Sequence, residues 1–85
     1  MHEQLKRKQR SVAGLRQVMK GIAADEIAHV FLALDASPQL QKQIRLAANE
    51  RQLPLDTVAS MEELGQMCRI EVPCAVAAIK KEKNT

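Results

Sequence analysis

One aromatic side chain, Phe31, occurs in 85 residues, and there is no Trp or Tyr. That scarcity excludes the stacking platforms with which sheet-surface and barrel modules hold single-stranded nucleic acid. Only two cysteines are present, Cys68 and Cys74, and they stand outside the Cys-x-x-Cys spacing of redox and zinc sites. Neither His2 nor His29 is near them in sequence, so both read as small core thiols and no metal site is expected. Three Gly and three Pro are too few for a disordered or fibrous chain. The longest apolar runs without a charge, 27–34 and 72–79, are eight residues each, against about twenty for a membrane span. The first twenty residues carry no apolar block of signal-peptide kind, so the expected compartment is the cytoplasm, without membrane contact.

What is present is an aliphatic chain, 46% hydrophobic and 27% charged, sized for one compact domain over residues 1–85. Its net charge of +3 is unevenly spread. Residues 1–20 hold six basic groups (Lys6, Arg7, Lys8, Arg10, Arg16 and Lys20) against Glu3, a balance of +5. Residues 21–79 carry −4, and the tail 80–85 carries +2. An acidic body with a basic N-terminal segment (1–10) and a basic tail (80–85) suits a polyanion-binding protein, because each neutralised phosphate releases counterions. A run such as Lys6-Arg7-Lys8 is equally consistent with a terminus that is simply kept solvated.

The hydrophobic pattern alternates between helix and strand periods. Arg10 to Ala13 is a short extended piece ending at Gly14. Leu15, Val18, Met19, Ile22 and Ala23 then form one face of an amphipathic helix, with Arg16, Gln17 and Lys20 opposite. Residues 27–34 form an unbroken apolar run, the signature of a strand buried on both faces. Ser37 and Pro38 mark the N-cap and first turn of a second helix reaching about Arg51. After Leu53-Pro54 a strand is expected over 55–59. Ser60 and Glu63 form a capping box that opens a third helix through Cys68, and a last strand is expected over 72–79. This alternation predicts an α/β fold with helices on both sides of a small sheet.

No catalytic constellation is visible. Asp35 ends a strand, but no nucleophile, metal ligand or phosphate loop stands beside it, and turn formation and charge at the N-terminus of the following helix account for it. His29 lies inside a strand run and reads as a satisfied or edge-exposed histidine and not a catalytic one. Glu62 and Glu63 are first-turn helix acids. The helix opening at Gly14 offers free N–H groups to phosphate, and Arg16 and Gln17 in its first turn can pair with base edges in an opened major groove. A-form RNA keeps that groove too narrow unless it is bent. A plain solvated helix face accounts equally well for the spacing.

The stretches GLRQVMKGI, FLALDASP, VASMEELGQMCRIEV and PCAVAAI, in this order, resemble the L-seven-Ae ribosomal-protein family and its relatives of the L-thirty-e type. Arg16-Gln17 is similar to the bacterial kink-turn-binding subgroup. The resemblance implies a three-layer α/β/α sandwich around a small four-stranded mixed sheet. It also implies a non-enzymatic protein, without cofactor, that recognises and stabilises kink-turns, sharply bent duplexes with sheared G·A pairs beside a bulge. By position, Gly14 and Leu15 bring backbone close to RNA. Arg16 and Gln17 reach the G·A edges, and Lys20 meets phosphate or guanine. Arg69, Ile70, Glu71 and Val72 cover the bulged nucleotides, with Ile70 and Val72 as apolar surfaces for unstacked bases. Ser37 joins the interface where the family often has an acidic residue, Arg69 stands where it often has Gly, and Ala24 where it often has a basic one. The implied partner is structured RNA carrying a kink-turn (ribosomal RNA, riboswitch or messenger RNA), the implied setting is the ribosome, and the chain is expected to act as a monomer. The rival reading is a protein–protein adaptor on the same fold, using the acidic body, with only generic RNA affinity.

Overall fold

The computed structural model describes residues 11–67 and 73–81. The segment 1–10, Cys68, Arg69, Ile70, Glu71, Val72 and the tail from residue 82 lie outside the described residues. The elements are β1 (Ser11–Ala13), α1 (Leu15–Ala23), β2 (Ile27–Ala33), α2 (Pro38–Glu50), β3 (Leu55–Val58), α3 (Met61–Met67) and β4 (Val76–Lys80). The strands form one sheet in the order β1-β4-β2-β3. β2 and β3 run parallel, and β4 is antiparallel to both its neighbours. α1 and α2 cover one face and α3 the other, so the mixed-sheet α/β/α sandwich is the observed architecture.

The two faces bury different amounts. On the first, Val18 and Ile22 of α1 and Ile44 of α2 meet Val30, Leu32, Val76 and Ala78 of the sheet. Full burial of each of the larger side chains stabilises the fold by about 1.5–3 kcal/mol. On the second, Leu64 packs with Ala33, Val58, Cys74 and Ala77. The seven described residues of α3 cover Ala33 and Ala77, while His29 and Phe31 are half-buried and Ala28 is exposed. The expectation that β2 is buried on both faces therefore holds only near its carboxyl end. His29 is satisfied, as expected: its Nε2 lies 2.9 Å from Asp56 Oδ2 and its ring stacks on Phe31 with centroids 4.6 Å apart. A register shift between Ile27 and His29 marks a bulge at Ala28. It brings Ile27 to the same face as Val30, three residues on.

Several boundaries differ from the sequence expectation for identifiable reasons. Ala23 is exposed, whereas Gly21 is buried. A Cβ on Gly21 would lie 2.7 Å from Ile27 Cδ1 and 3.1 Å from its Cγ1, so a larger residue there requires the Ile27 side chain to shift. β4 begins at Val76 and not at residue 72. Pro73 has no N–H for a ladder, and the Cys74 N–H donates to the Met61 carbonyl at 2.9 Å. Lys80 closes β4, 3.6 Å from Glu26, and Lys81 pairs with Asp25 at 3.2 Å. Two of the tail's three lysines are thus held against the turn between α1 and β2. Among the described residues no helix is long and apolar enough to cross a membrane.

Candidate nucleic-acid interface

The sheet topology brings the carboxyl ends of β1, β2 and β3, the start of β4 and the N-termini of all three helices to one end of the molecule. Short backbone bonds join them. The Gly14 N–H donates to the Val76 carbonyl at 2.9 Å, Ala33 to Ala75 at 2.9 Å, and Leu34 to Val58 at 2.8 Å. Val76, at the start of β4, therefore lies beside the opening of α1, and Cys74 beside the start of α3.

The three helix starts are treated differently. α2 is capped by Ser37, whose Oγ accepts from the Leu40 N–H at 3.2 Å, and Pro38 occupies its first turn. α3 is capped twice: Ser60 Oγ accepts from Glu63 N–H at 3.1 Å and Asp35 Oδ1 accepts from Met61 N–H at 2.8 Å. The acid proposed to serve the next helix thus serves the one after it. Among the described residues no side chain caps α1, and its first turn holds no acidic residue. Its first internal bond is Val18 N–H to Gly14 carbonyl at 3.0 Å, which leaves the intervening N–H groups without an intrahelical acceptor. Gly14 itself has φ +96° and ψ 149°, with nothing within 4 Å of where a Cβ would stand. The backbone is open to close approach at the point where the helix dipole is positive.

Around that opening Arg16, Gln17 and Lys20 are exposed, Leu15 is half-buried against the core, and Val18 anchors the opposite side. The sequence-derived residues Gly14, Leu15, Arg16, Gln17 and Lys20 thus form one continuous surface on α1. Ser37 stands at the same end of the sheet, with its hydroxyl engaged in capping. Arg69, Ile70, Glu71 and Val72 lie outside the described residues.

Sequence reasoning missed the clamps that hold this end. Gln41 Nε2 donates to the carbonyls of Leu34 (3.1 Å) and Ala36 (2.9 Å), bracing the turn between β2 and α2. The buried Cys74 thiol donates to the Val76 carbonyl at 3.0 Å, fixing the start of β4 under Gly14. A glutamine one turn into a helix carries no local signal of such a role. Leu34, half exposed in the same turn, was read as the end of a strand. No group of three or more His, Cys, Asp or Glu arranged for a metal ion occurs among the described residues.

Relatives share this frame. An RNA-binding protein of Halalkalibacterium halodurans is 36% identical over 70 residues, covering 82% of this chain and 85% of the relative. The RNA-binding protein YbxF of Geobacillus stearothermophilus is 35% identical over 68 residues, covering 80% and 83%. Among solved structures, the 15.5 kD RNA binding protein of Giardia lamblia superimposes with a TM-score of 0.80 at 28% identity. That match covers 88% of this chain, which spans 63% of the Giardia protein. The sequence pattern of the ribosomal protein L7Ae/L30e/S12e/Gadd45 family matches residues 1–85, and the chain belongs to that family.

Proposed function

We propose that this protein binds structured RNA and recognises kink-turns, inserting the opening of α1 into the widened major groove of the bend. The observation that carries the reading is the contrast among the three helix starts: two are closed by the protein's own side chains, whereas no described side chain caps the third, which is flanked by Arg16 and Gln17. Family membership and the names of the relatives support RNA as the partner.

In this mechanism the α1 N–H groups and Gly14 approach the backbone of the bent strand, Arg16 and Gln17 pair with the edges of the sheared G·A bases, and Lys20 meets phosphate. Arg69, Ile70, Glu71 and Val72 close over the bulged nucleotides, and Ser37 borders them. No step is catalytic. A kink-turn exchanges between open and bent forms, and a protein that binds only the bent form draws the population toward it. The chain acts as a monomer in the cytoplasm, on ribosomal or regulatory RNA.

A gel-shift titration against a kink-turn duplex and a control with its G·A pairs disrupted tests the reading. Preference for the kink-turn by tenfold or more is expected. Equal affinity for the two contradicts it and leaves a generic RNA binder. Gln17→Ala should lower the preference several-fold, since one base-edge pair contributes about 1–3 kcal/mol of discrimination.

A further inference from the structure

A second surface lies on the far flank of α2. There α2 overhangs β3, the edge strand of the sheet, and the two bound an open groove of about 620 Å³. Its lining combines the apolar Leu46, Leu53 and Leu55 with the polar Lys42, Arg45 and Asn49. Leu46 is 57% exposed, more than any other large hydrophobic residue among those described. Lys42, Arg45 and Asn49 recur at helical spacing, so they form one stripe. Among the described residues no carboxylate lies within ion-pair distance of Lys42 or Arg45. The surrounding body, residues 21–79, carries −4, yet three of its four basic groups (Lys42, Arg45 and Arg51) stand on α2 or at its end.

The edge of β3 adds a backbone component. The carbonyls of Pro54 and Val58 accept from Val30 and Leu34, so 54, 56 and 58 point their backbone groups at β2. By the alternation of a parallel ladder, Leu55 and Thr57 turn theirs to the open edge. α1, with its open N-terminus, packs toward β4 and β1 on the other half of the sheet, which leaves both surfaces free to be occupied together.

We propose that this groove docks an extended acidic segment of a partner protein, laid along β3 with one apolar side chain against Leu46, Leu53 and Leu55 and acidic side chains facing Lys42 and Arg45. Strand addition supplies backbone bonds, and alternate side chains on one face supply selectivity. Cation rim and acidic segment are complementary in charge. An RNA strand fits less well, because the open edge of β3 presents backbone groups at peptide spacing, which a second strand pairs with and a sugar–phosphate chain does not. The proposal stands independently of the kink-turn reading.

The probe is a blocked peptide Thr-Glu-Thr-Leu-Thr-Glu-Thr, which places both Glu and the Leu on one face when extended. A second peptide with Lys for Glu is the control. Titrated to millimolar concentration into the ¹⁵N-labelled protein, the acidic peptide should shift the amides of Leu46, Leu53, Leu55 and Thr57 and bind at least tenfold more tightly than the control. Leu46→Ser, at an exposed position, and the double variant Lys42→Gln with Arg45→Gln should each weaken it about tenfold while kink-turn affinity stays within threefold. Three results overturn the proposal: shifts at the groove with neither peptide, equal affinity for both, or variants that leave peptide binding intact. A tenfold fall in kink-turn affinity in the double variant also overturns it and makes the groove an RNA surface.

Discussion

Gly14 occupies a backbone region, φ +96° with ψ 149°, that residues with a Cβ rarely enter. Space is not the reason, because nothing stands within 4 Å of the missing side chain. Gly14→Ala should therefore cost about 1–3 kcal/mol of stability through backbone strain alone, read as a lower urea midpoint with an unchanged slope. Asp35 is a different case. Its carboxylate holds the Met61 N–H across 26 residues of sequence, so Asp35→Ala should cost about 1 kcal/mol, the usual loss for a helix cap. If Asp35→Ala leaves the midpoint unchanged, the capping account of that residue is wrong. Ser37, Ser60 and Gly14 were legible in the sequence because a cap is a local pattern, completed within three residues. The partner of Asp35 was not, because nothing local distinguishes an aspartate that caps the next helix from one that caps the helix after it.

The ends of α1 and α2 are built alike. In each, the residue after the C-cap has positive φ (Asp25 at 60°, Gln52 at 54°). Asp25 and Glu26 donate back to Ile22 and Gly21, and Gln52 and Leu53 to Asn49 and Ala48, the paired bonds of a Schellman stop. Glycine is favoured at such a position, and Gln52 is strained there. Gln52→Gly should raise stability by about 0.5–1 kcal/mol, visible as a rise in melting temperature of a few degrees. Asp25 gains a compensating contact, the 3.2 Å pair with Lys81, so the same exchange there should gain less. Helix and strand identities followed from periodicity, and β2, α2 and β3 fall within a residue or so of their expected limits. β4 is shorter at its start because the Cys74 N–H goes to Met61, a long-range bond that no apolar run reveals. Ala23 is exposed and Gly21 buried against Ile27, a packing contact between α1 and β2 that the periodicity of α1 alone does not reveal.

Over the whole molecule, charge placement separates contributors to RNA binding from bystanders. Lys80 lies four residues along β4 from Val76, about 13 Å from the Gly14 end at strand rise, and both it and Lys81 are paired with acids of the α1–β2 turn. Exposed pairs of this kind contribute little to stability. Their distance and pairing should nonetheless remove them from the interface: the double variant Lys80→Gln with Lys81→Gln is expected to change kink-turn affinity less than twofold. Arg16→Gln, at the open end, should weaken binding and reduce the slope of log affinity against log salt by about one if it meets a phosphate, and mainly erode selectivity if it meets a base. The summed charge of the ends was readable from composition. That two tail lysines sit on the wrong end of the sheet was not, since it depends on the antiparallel course of β4.

The account rests on the uncapped opening of α1 being the surface that meets RNA. Amide shift mapping of the ¹⁵N-labelled protein during titration with a kink-turn duplex tests it most directly. The largest changes are expected at Gly14, Leu15, Arg16 and Gln17, with little at Lys80, Lys81 and the Leu46–Leu55 groove. Changes concentrated on α2 and β3, with the opening of α1 silent, would contradict it.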